Sequence, residues 1–293
     1  MTIGIIKEIA KAKLRGKRLL ATVGFVLALV IWTTAAQIFI TTIGFDTVFS
    51  ILEIAFTGFT GFRISYLLLP LLLILLFLLG DMLHMSYRWF GLELVEDKEN
   101  AELKDVFQGF FKDNRTKLFS LVVLRALIVL GWSLLFIIPG IWKAYLYSQA
   151  PNNLKKDPSL SPMEALKQSE EQMKGNILKY ILLQLTFAPW YIVPIGLFIF
   201  FIWTNVNEIQ VGLEMGIEGA ELIYGVILAI LFIVGVALLL FALYVEPYKM
   251  VSKQVFYEEM NKPNDESPYD DFEQELLKKQ GLDRRDRPVT PRF

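Results

Sequence analysis

The sequence of 293 residues contains no cysteine and only one histidine. The absence of cysteine excludes a disulfide framework, thiolate metal sites and a cysteine nucleophile, and a single histidine leaves little material for a zinc site or a histidine-based triad. The 29 basic and 30 acidic residues give a net charge of −1, so no overall positive field points to nucleic acid. Metalloprotease, serine hydrolase and nucleotide-binding motifs are also missing. We therefore predict no enzyme activity, no cofactor, no metal site and no nucleic-acid partner.

Apolar residues, in contrast, are abundant and segregated into long runs. Hydrophobic residues make up 54% of the chain and the mean hydropathy is +0.47, above the range of ordinary soluble proteins. A membrane-spanning helix needs about 20 mostly apolar residues, because the hydrocarbon layer is roughly 30 Å thick. Such runs lie at 19–43, 66–85, 118–138, 180–203 and 223–245. The sequence therefore predicts an all-α, polytopic membrane helix bundle.

Lysine and arginine are unevenly distributed between the loops. They are concentrated in residues 1–18, 86–117, 153–179 and 246–293, whereas 44–65 carries only Arg63 and 204–222 carries none. Basic loops are retained on the cytoplasmic side of a membrane. We therefore expect a multi-pass protein of the cell membrane with both termini inside.

This orientation places basic segments on both sides of residues 118–152, so the chain has to enter and leave the membrane within that stretch. Pro139 lacks a backbone N–H and Gly140 relaxes the backbone, so this pair predicts a helix break. One interpretation is a sixth span at about 141–152, which gives six transmembrane helices. The alternative is five spans plus a re-entrant limb, because the second limb is short.

The chain divides into three parts. Residues 1–18 are predicted to form a basic interfacial helix, with Lys7, Lys11, Arg15 and Arg18 on one stripe, suited to anionic lipids. Residues 19–260 form the membrane bundle. Residues 261–293 are rich in Pro, Asp, Glu, Lys and Arg and predict a flexible cytoplasmic tail. Within the bundle, the run from Ser161 to Glu164 is typical of a helical capping box.

Four ionisable residues fall inside the apolar runs: Asp81, His84, Arg125 and Lys143. Charges within a span are costly and are functional candidates by default. Asp81 and Arg125 lie at about the same distance from the inner ends of their spans, so we expect them to face each other. A structural ion pair and a proton or ion relay through Asp81 and His84 are both compatible with this pattern.

Several segments together resemble the DUF975 family, bacterial multi-pass membrane proteins common in Firmicutes. The resemblance lies in five segments: Lys11-Ala12-Lys13-Leu14-Arg15-Gly16-Lys17, Asp105-Val106-Phe107-Gln108-Gly109-Phe110, Ile138-Pro139-Gly140-Ile141, Glu164-Ala165-Leu166-Lys167-Gln168-Ser169 and Glu246-Pro247-Tyr248. It implies a six-helix integral membrane protein of the bacterial cytoplasmic membrane with no characterised activity. It provides no catalytic residue.

Two functions remain open from the sequence. The first is a non-enzymatic scaffold or regulator that binds membrane lipids, or another membrane or cytoplasmic protein, because interfacial segments are abundant and catalytic motifs are missing. The alternative is a small-molecule or ion transporter that uses the intramembrane polar residues, because broken helices often line transport sites.

Overall fold

The computed structural model describes residues 2–39, 65–96, 101–192, 195–196, 199–200, 203 and 220–261. Within these ranges the backbone forms helices and turns and no strand, which confirms the all-α prediction. The predicted outer loops, the ends of several predicted spans and the tail beyond residue 261 lie outside the described residues. The helices are α1 (Ile3–Lys13), α2 (Arg18–Phe39), α3 (Ser65–Val95), α4 (Lys112–Leu135), α5 (Ile137–Leu146), α6 (Ala150–Lys156), α7 (Pro162–Met173), α8 (Ile177–Leu185) and α9 (Ala220–Met260).

Three helical segments are long and apolar enough to cross a membrane: Arg18–Gln37, Leu71–Val95 and Arg115–Leu135. They correspond to the first three predicted spans. The span predicted at 180–203 falls partly outside the described residues, and the one at 223–245 lies within the continuous helix α9. The structure thus supports a helical membrane protein.

Helix α3 changes its surroundings half way along its length. Its 31 residues extend over about 46 Å at 1.5 Å per residue. Between Leu71 and Leu79 most of its apolar side chains are exposed, with Leu71 at 61% and Phe77 at 65%, whereas beyond Asp81 Trp89 and Phe90 are fully buried. Exposed apolar helices require an apolar solvent, and helices buried on all sides require protein neighbours. We call these regions the apolar-surfaced half and the packed half of the molecule.

Helices α4 and α9 follow the same division. In α4, Leu118 and Leu121 are buried, whereas Leu130 and Leu134 near its end are exposed. In α9, the segment from Val245 to Tyr257 is mostly buried and belongs to the packed half. The apolar runs in the sequence therefore have two different environments, lipid-like in one half and protein core in the other.

The turn between α4 and α5 lies at Phe136, whose backbone is extended (φ −154°, ψ 138°). The break predicted at Pro139 and Gly140 is therefore corrected. Pro139 lies in the first turn of α5, where the helix leaves its N–H groups without intrahelical partners and proline is tolerated. A Cβ on Gly140 would clash with the Ser133 hydroxyl and lie 2.8 Å from Ser133 Cα, so this glycine permits the close contact between α5 and α4.

The interval 141–152, suggested for a sixth span, is not one continuous helix. Helix α5 ends at Leu146, a 3-10 turn follows at Tyr147–Gln149, and α6 begins at Ala150. The ten residues of α5 rise only about 15 Å, half of the hydrocarbon thickness. Beyond α5 the chain enters the packed half, where protein rather than lipid surrounds it.

A network of buried amide side chains holds α6 in place. Asn152, which is fully buried, donates from Nδ2 to Gln254 Oε1 at 2.8 Å and to Gln149 Oε1 at 3.1 Å. The hydroxyl of Tyr257 donates to Asn153 Oδ1 at 3.0 Å. Buried polar groups require such partners, and lipid could not supply them. The network therefore connects α6 to α9, about one hundred residues further along the chain.

Two predictions about amphipathic segments have different outcomes. The capping box is confirmed, because the Ser161 and Glu164 side chains each accept from the other's backbone N–H at the start of α7. In α1, however, Ile6 and Ile9 are at most 1% exposed and pack against the protein rather than a lipid surface. The basic stripe lies on the other side, where Lys11 and Arg15 are exposed.

Candidate functional site: a basic and aromatic groove

A cavity of about 700 Å³ lies between α1, α9 and the segment that follows α8. We call it the groove. Its basic side comes from α1 and the start of α2, and its aromatic side comes from α9 and the segment after α8. The lining residues include Lys7, Glu8, Lys11, Arg15, Arg18, Phe187, Trp190, Tyr244 and Tyr248.

The groove carries an excess of positive charge. Four of its charged lining side chains are basic and one, Glu8, is acidic. Glu8 already lies 3.4 Å from the ammonium group of Lys11. Lys11 and Arg15 are exposed at the rim. The groove therefore attracts anions and presents exposed cations to them.

Two of the cations lie on aromatic rings. The guanidinium carbon of Arg18 is 3.5 Å from the ring centroid of Tyr244, and its Nη2 donates to the Tyr244 carbonyl at 3.4 Å. The ammonium of Lys7 is 4.7 Å from the ring centroid of Phe187. Cation–π contacts of this kind are worth about 0.5–1 kcal/mol at exposed sites. They hold the basic groups in place without neutralising their charge.

The floor of the groove is formed by packed aromatic side chains. The hydroxyl of Tyr248 donates to the backbone carbonyl of Lys7 at 3.1 Å and ties α9 to α1. The Tyr248 and Phe187 rings meet edge to face with centroids 5.3 Å apart. Burial lowers the pKa of Lys7, and burial together with the nearby Glu8 carboxylate raises the pKa of Tyr248 to about 12. Tyr248 therefore stays neutral at physiological pH.

Exposed apolar side chains border the groove. Leu19 is 76% exposed, Tyr244 55% and Trp190 51%. Arg18 begins the apolar segment Arg18–Gln37, so the groove lies where the packed half meets the apolar-surfaced half. Tryptophan and tyrosine are enriched at membrane–water interfaces. A molecule bound here would contact cations and apolar surface together.

Of the four polar residues singled out from the sequence, the structure brings together Asp81 and Arg125. Arg125 Nη1 lies 3.8 Å from Asp81 Oδ2, across α4 and α3, and both side chains are about one-fifth exposed. His84 is exposed and, together with Asp81, lines a cavity of about 340 Å³ between α2 and α3. This cavity also contains Phe25 and Trp32 and is mainly apolar.

Lys143 lies elsewhere. Its ammonium is 3.0 Å from Glu170 Oε1 on α7, and it lines a cavity of about 490 Å³ with Trp142 and Leu178. This cavity shares no lining residue with the one at Asp81. The basic stripe of α1 was visible in the sequence, but its aromatic partners on α9 and after α8 were not, because they are more than 170 residues away.

A comparison with family models gives a match to DUF975, described as a protein of unknown function, over residues 1–142 and 134–264. No curated protein and no solved structure is significantly similar to the chain. The match covers every residue of the groove.

Proposed function

We propose that this chain, which belongs to the DUF975 family, is a non-enzymatic membrane protein that binds the headgroup of an anionic phospholipid in the groove. The observation that carries the proposal is the combination of four basic side chains with an aromatic floor at the border of the apolar surface. Basic groups near an anionic leaflet contribute about 1 kcal/mol each. Lipids are thus the proposed partners, and a scaffolding or regulatory role follows from their binding.

The proposal includes an orientation. Anionic lipids face the cytoplasm in the inner leaflet, and basic segments are retained on that side. We place the packed half, the groove and both termini on the cytoplasmic side of the bacterial membrane. The short α5 and the turn at Phe136 favour a re-entrant α4–α5 hairpin over a sixth complete span.

Transport is supported less well. A transporter needs a polar path through the bundle, and the cavities at Asp81 and at Lys143 have no lining residue in common. Both basic residues that the sequence suggested for transport, Arg125 and Lys143, have a carboxylate within 4 Å. This arrangement favours structural ion pairs.

The test compares lipid binding by purified full-length protein in a neutral detergent, using native mass spectrometry with phosphatidylglycerol and phosphatidylcholine. The test variant is Lys11→Gln/Arg15→Gln, which removes two exposed cations from the groove rim. Two charges at about 1 kcal/mol each correspond to roughly 30-fold weaker phosphatidylglycerol binding. Phosphatidylcholine binding should not change.

The matched control is Lys104→Gln/Lys167→Gln, which removes two exposed cations outside the groove. It should bind phosphatidylglycerol like the unmodified protein. Equal weakening in both double variants would show that the attraction comes from the overall charge, and the groove would then not be the site.

A further inference from the structure

Arg88 is buried in the packed half of the molecule with unused hydrogen-bond donors. The residue is 6% exposed, and its Nε and Nη2 atoms have no hydrogen-bond partner among the described residues. Nε and Nη2 form one edge of the guanidinium, with two parallel N–H groups. This edge is the geometry that binds two oxygens of one phosphate or carboxylate. A buried guanidinium edge without an acceptor costs several kcal/mol, so it points to a ligand.

The nearest carboxylate does not supply the missing acceptor. Arg88 interacts electrostatically with Asp81 and Arg125, on α3 and α4. The Asp81 carboxylate already lies 3.8 Å from the Arg125 guanidinium, and one carboxylate cannot neutralise two guanidinium groups. One of the two positive charges of Arg88 and Arg125 therefore has no carboxylate to balance it.

A second cation adds to the excess. Lys253 on α9 interacts electrostatically with Arg88, with Lys249 and with Glu246. The Glu246 carboxylate already forms an ion pair with Lys249 and accepts a hydrogen bond from the Tyr191 hydroxyl at 2.7 Å. Burial lowers the pKa of Lys253, as expected for an ammonium that lacks a close counter-ion.

Neutral donors complete the surroundings. Tyr180 on α8 is 3% exposed and interacts electrostatically with both Arg88 and Lys253. The Ser148 hydroxyl, on the 3-10 turn after α5, is buried nearby. Lys253 is only partly buried, which leaves a side from which an anion can enter. These groups come from α3, α8, α9 and the 3-10 turn after α5.

We infer that Arg88 and Lys253 form an anion site, separate from the groove, that binds a phosphate group carrying two negative charges. Two uncompensated cations match the charge of a phosphate monoester or of inorganic phosphate, whereas a carboxylate would neutralise only one of them. Arg88 provides the two-pronged edge, Lys253 the second charge, and Tyr180 a hydroxyl donor. The phosphate belongs either to a free ion or to the headgroup of phosphatidic acid.

The experiment measures the thermal unfolding temperature of the full chain in neutral detergent, and its binding affinity by isothermal titration calorimetry. The first arm titrates inorganic phosphate against chloride at equal ionic strength, and the second titrates phosphatidic acid against phosphatidylcholine. We expect saturable binding in at least one arm. Binding of phosphate alone identifies a free ion, and binding of phosphatidic acid alone identifies the lipid.

Two variants test the site itself. Arg88→Lys keeps the charge but removes the two-pronged edge, and Lys253→Gln removes a partly exposed charge without disturbing the core. Each should weaken binding at least tenfold in the arm that shows it. In the phosphate arm, Lys11→Gln/Arg15→Gln should leave binding unchanged. In the phosphatidic acid arm, where the groove also attracts the lipid, the losses caused by Arg88→Lys and Lys253→Gln should persist when each is combined with Lys11→Gln/Arg15→Gln. No binding above the chloride and phosphatidylcholine controls overturns the inference. Unchanged affinity in a folded Lys253→Gln variant also overturns it, and a loss seen only in the groove variant would assign the phosphate to the groove.

Discussion

The amide network around Asn152 allows a quantitative test of whether residues 147–156 are buried in protein or face lipid. Asn152→Ala removes both hydrogen bonds donated to Gln149 and Gln254. The two acceptor oxygens then remain in the packed half without these donors. If the same segment faced lipid in a sixth span, removal of the polar amide would instead be neutral or stabilising.

The structure sets the size of the effect. A buried acceptor that loses its donor costs about 1–3 kcal/mol, so Asn152→Ala should lower the free energy of unfolding by about 2–5 kcal/mol. Gln254→Leu removes one of the stranded acceptors. The double variant should therefore be less destabilised than the sum of the single variants, by about 1–3 kcal/mol.

Unfolding in mixed detergent micelles, followed by tryptophan fluorescence, measures these free energies. The fluorescence of Trp89 reports on α6, because its indole N–H donates to the carbonyl of Pro151 in that helix at 2.6 Å. Gln168→Ala is the matched control, since Gln168 is an exposed amide on α7. It should change stability by no more than about 0.5 kcal/mol.

A loss below about 0.5 kcal/mol in Asn152→Ala would refute the buried network. Exact additivity of Asn152→Ala and Gln254→Leu would likewise refute the contact between α6 and α9, even if each single variant is destabilised.

Three further predictions concern the same half of the molecule and its edges. Gly140→Ala should lower the thermal unfolding temperature, because the new Cβ would lie 2.8 Å from a backbone atom of α4 that cannot move aside; an unchanged temperature would contradict the tight α4–α5 turn. Lys155→Met removes the cation that lies 2.8 Å from the buried Glu93 carboxylate, and it should lower the free energy of unfolding in denaturant by about 3 kcal/mol. Adding Glu93→Leu should restore much of that stability, because it removes the unpaired buried carboxylate. Hydrogen bonds from Ser161 lower the pKa of Glu164. The capping box therefore contributes its full stability above the ordinary carboxyl pKa, and this contribution is lost as the pH falls through the lowered pKa of Glu164. Glu164→Gln should flatten this acid dependence of the melting temperature.

Much of the fold follows from local patterns in the sequence. Apolar runs locate α2, α3, α4 and α9, because length and hydropathy alone decide whether a segment can cross a bilayer. The capping box at Ser161 is set by residues within one turn and was equally predictable. The pairing of Asp81 with Arg125 followed from counting residues inward from the span ends.

Other features depend on distant residues and could not be predicted. The sequence located the end of the apolar run within α3, since the predicted span stopped at residue 85, but it did not show that the helix continues to Val95 as part of a protein core. In the sequence alone, Asn152 and Gln149 are polar residues that interrupt a short apolar span. Their role in a buried network becomes visible only in the structure, where Gln254 lies beside Asn152. Pro139 marks the start of α5 rather than the turn, because proline fits the first turn of a helix as well as it breaks one.

The division of α3 into two environments also bears on how the chain enters the membrane. A continuous apolar helix of 31 residues offers several alternative windows of about 20 residues to the insertion machinery. If α3 moved by three turns so that its C-terminal half entered the membrane, Arg88 would reach the depth of the hydrocarbon, at a cost of about 2.5–3.5 kcal/mol. Glu93, five residues further along the helix, would add to that cost. The two buried charges of the packed half, Arg88 and Glu93, therefore disfavour any insertion register that would carry this half of α3 into the hydrocarbon.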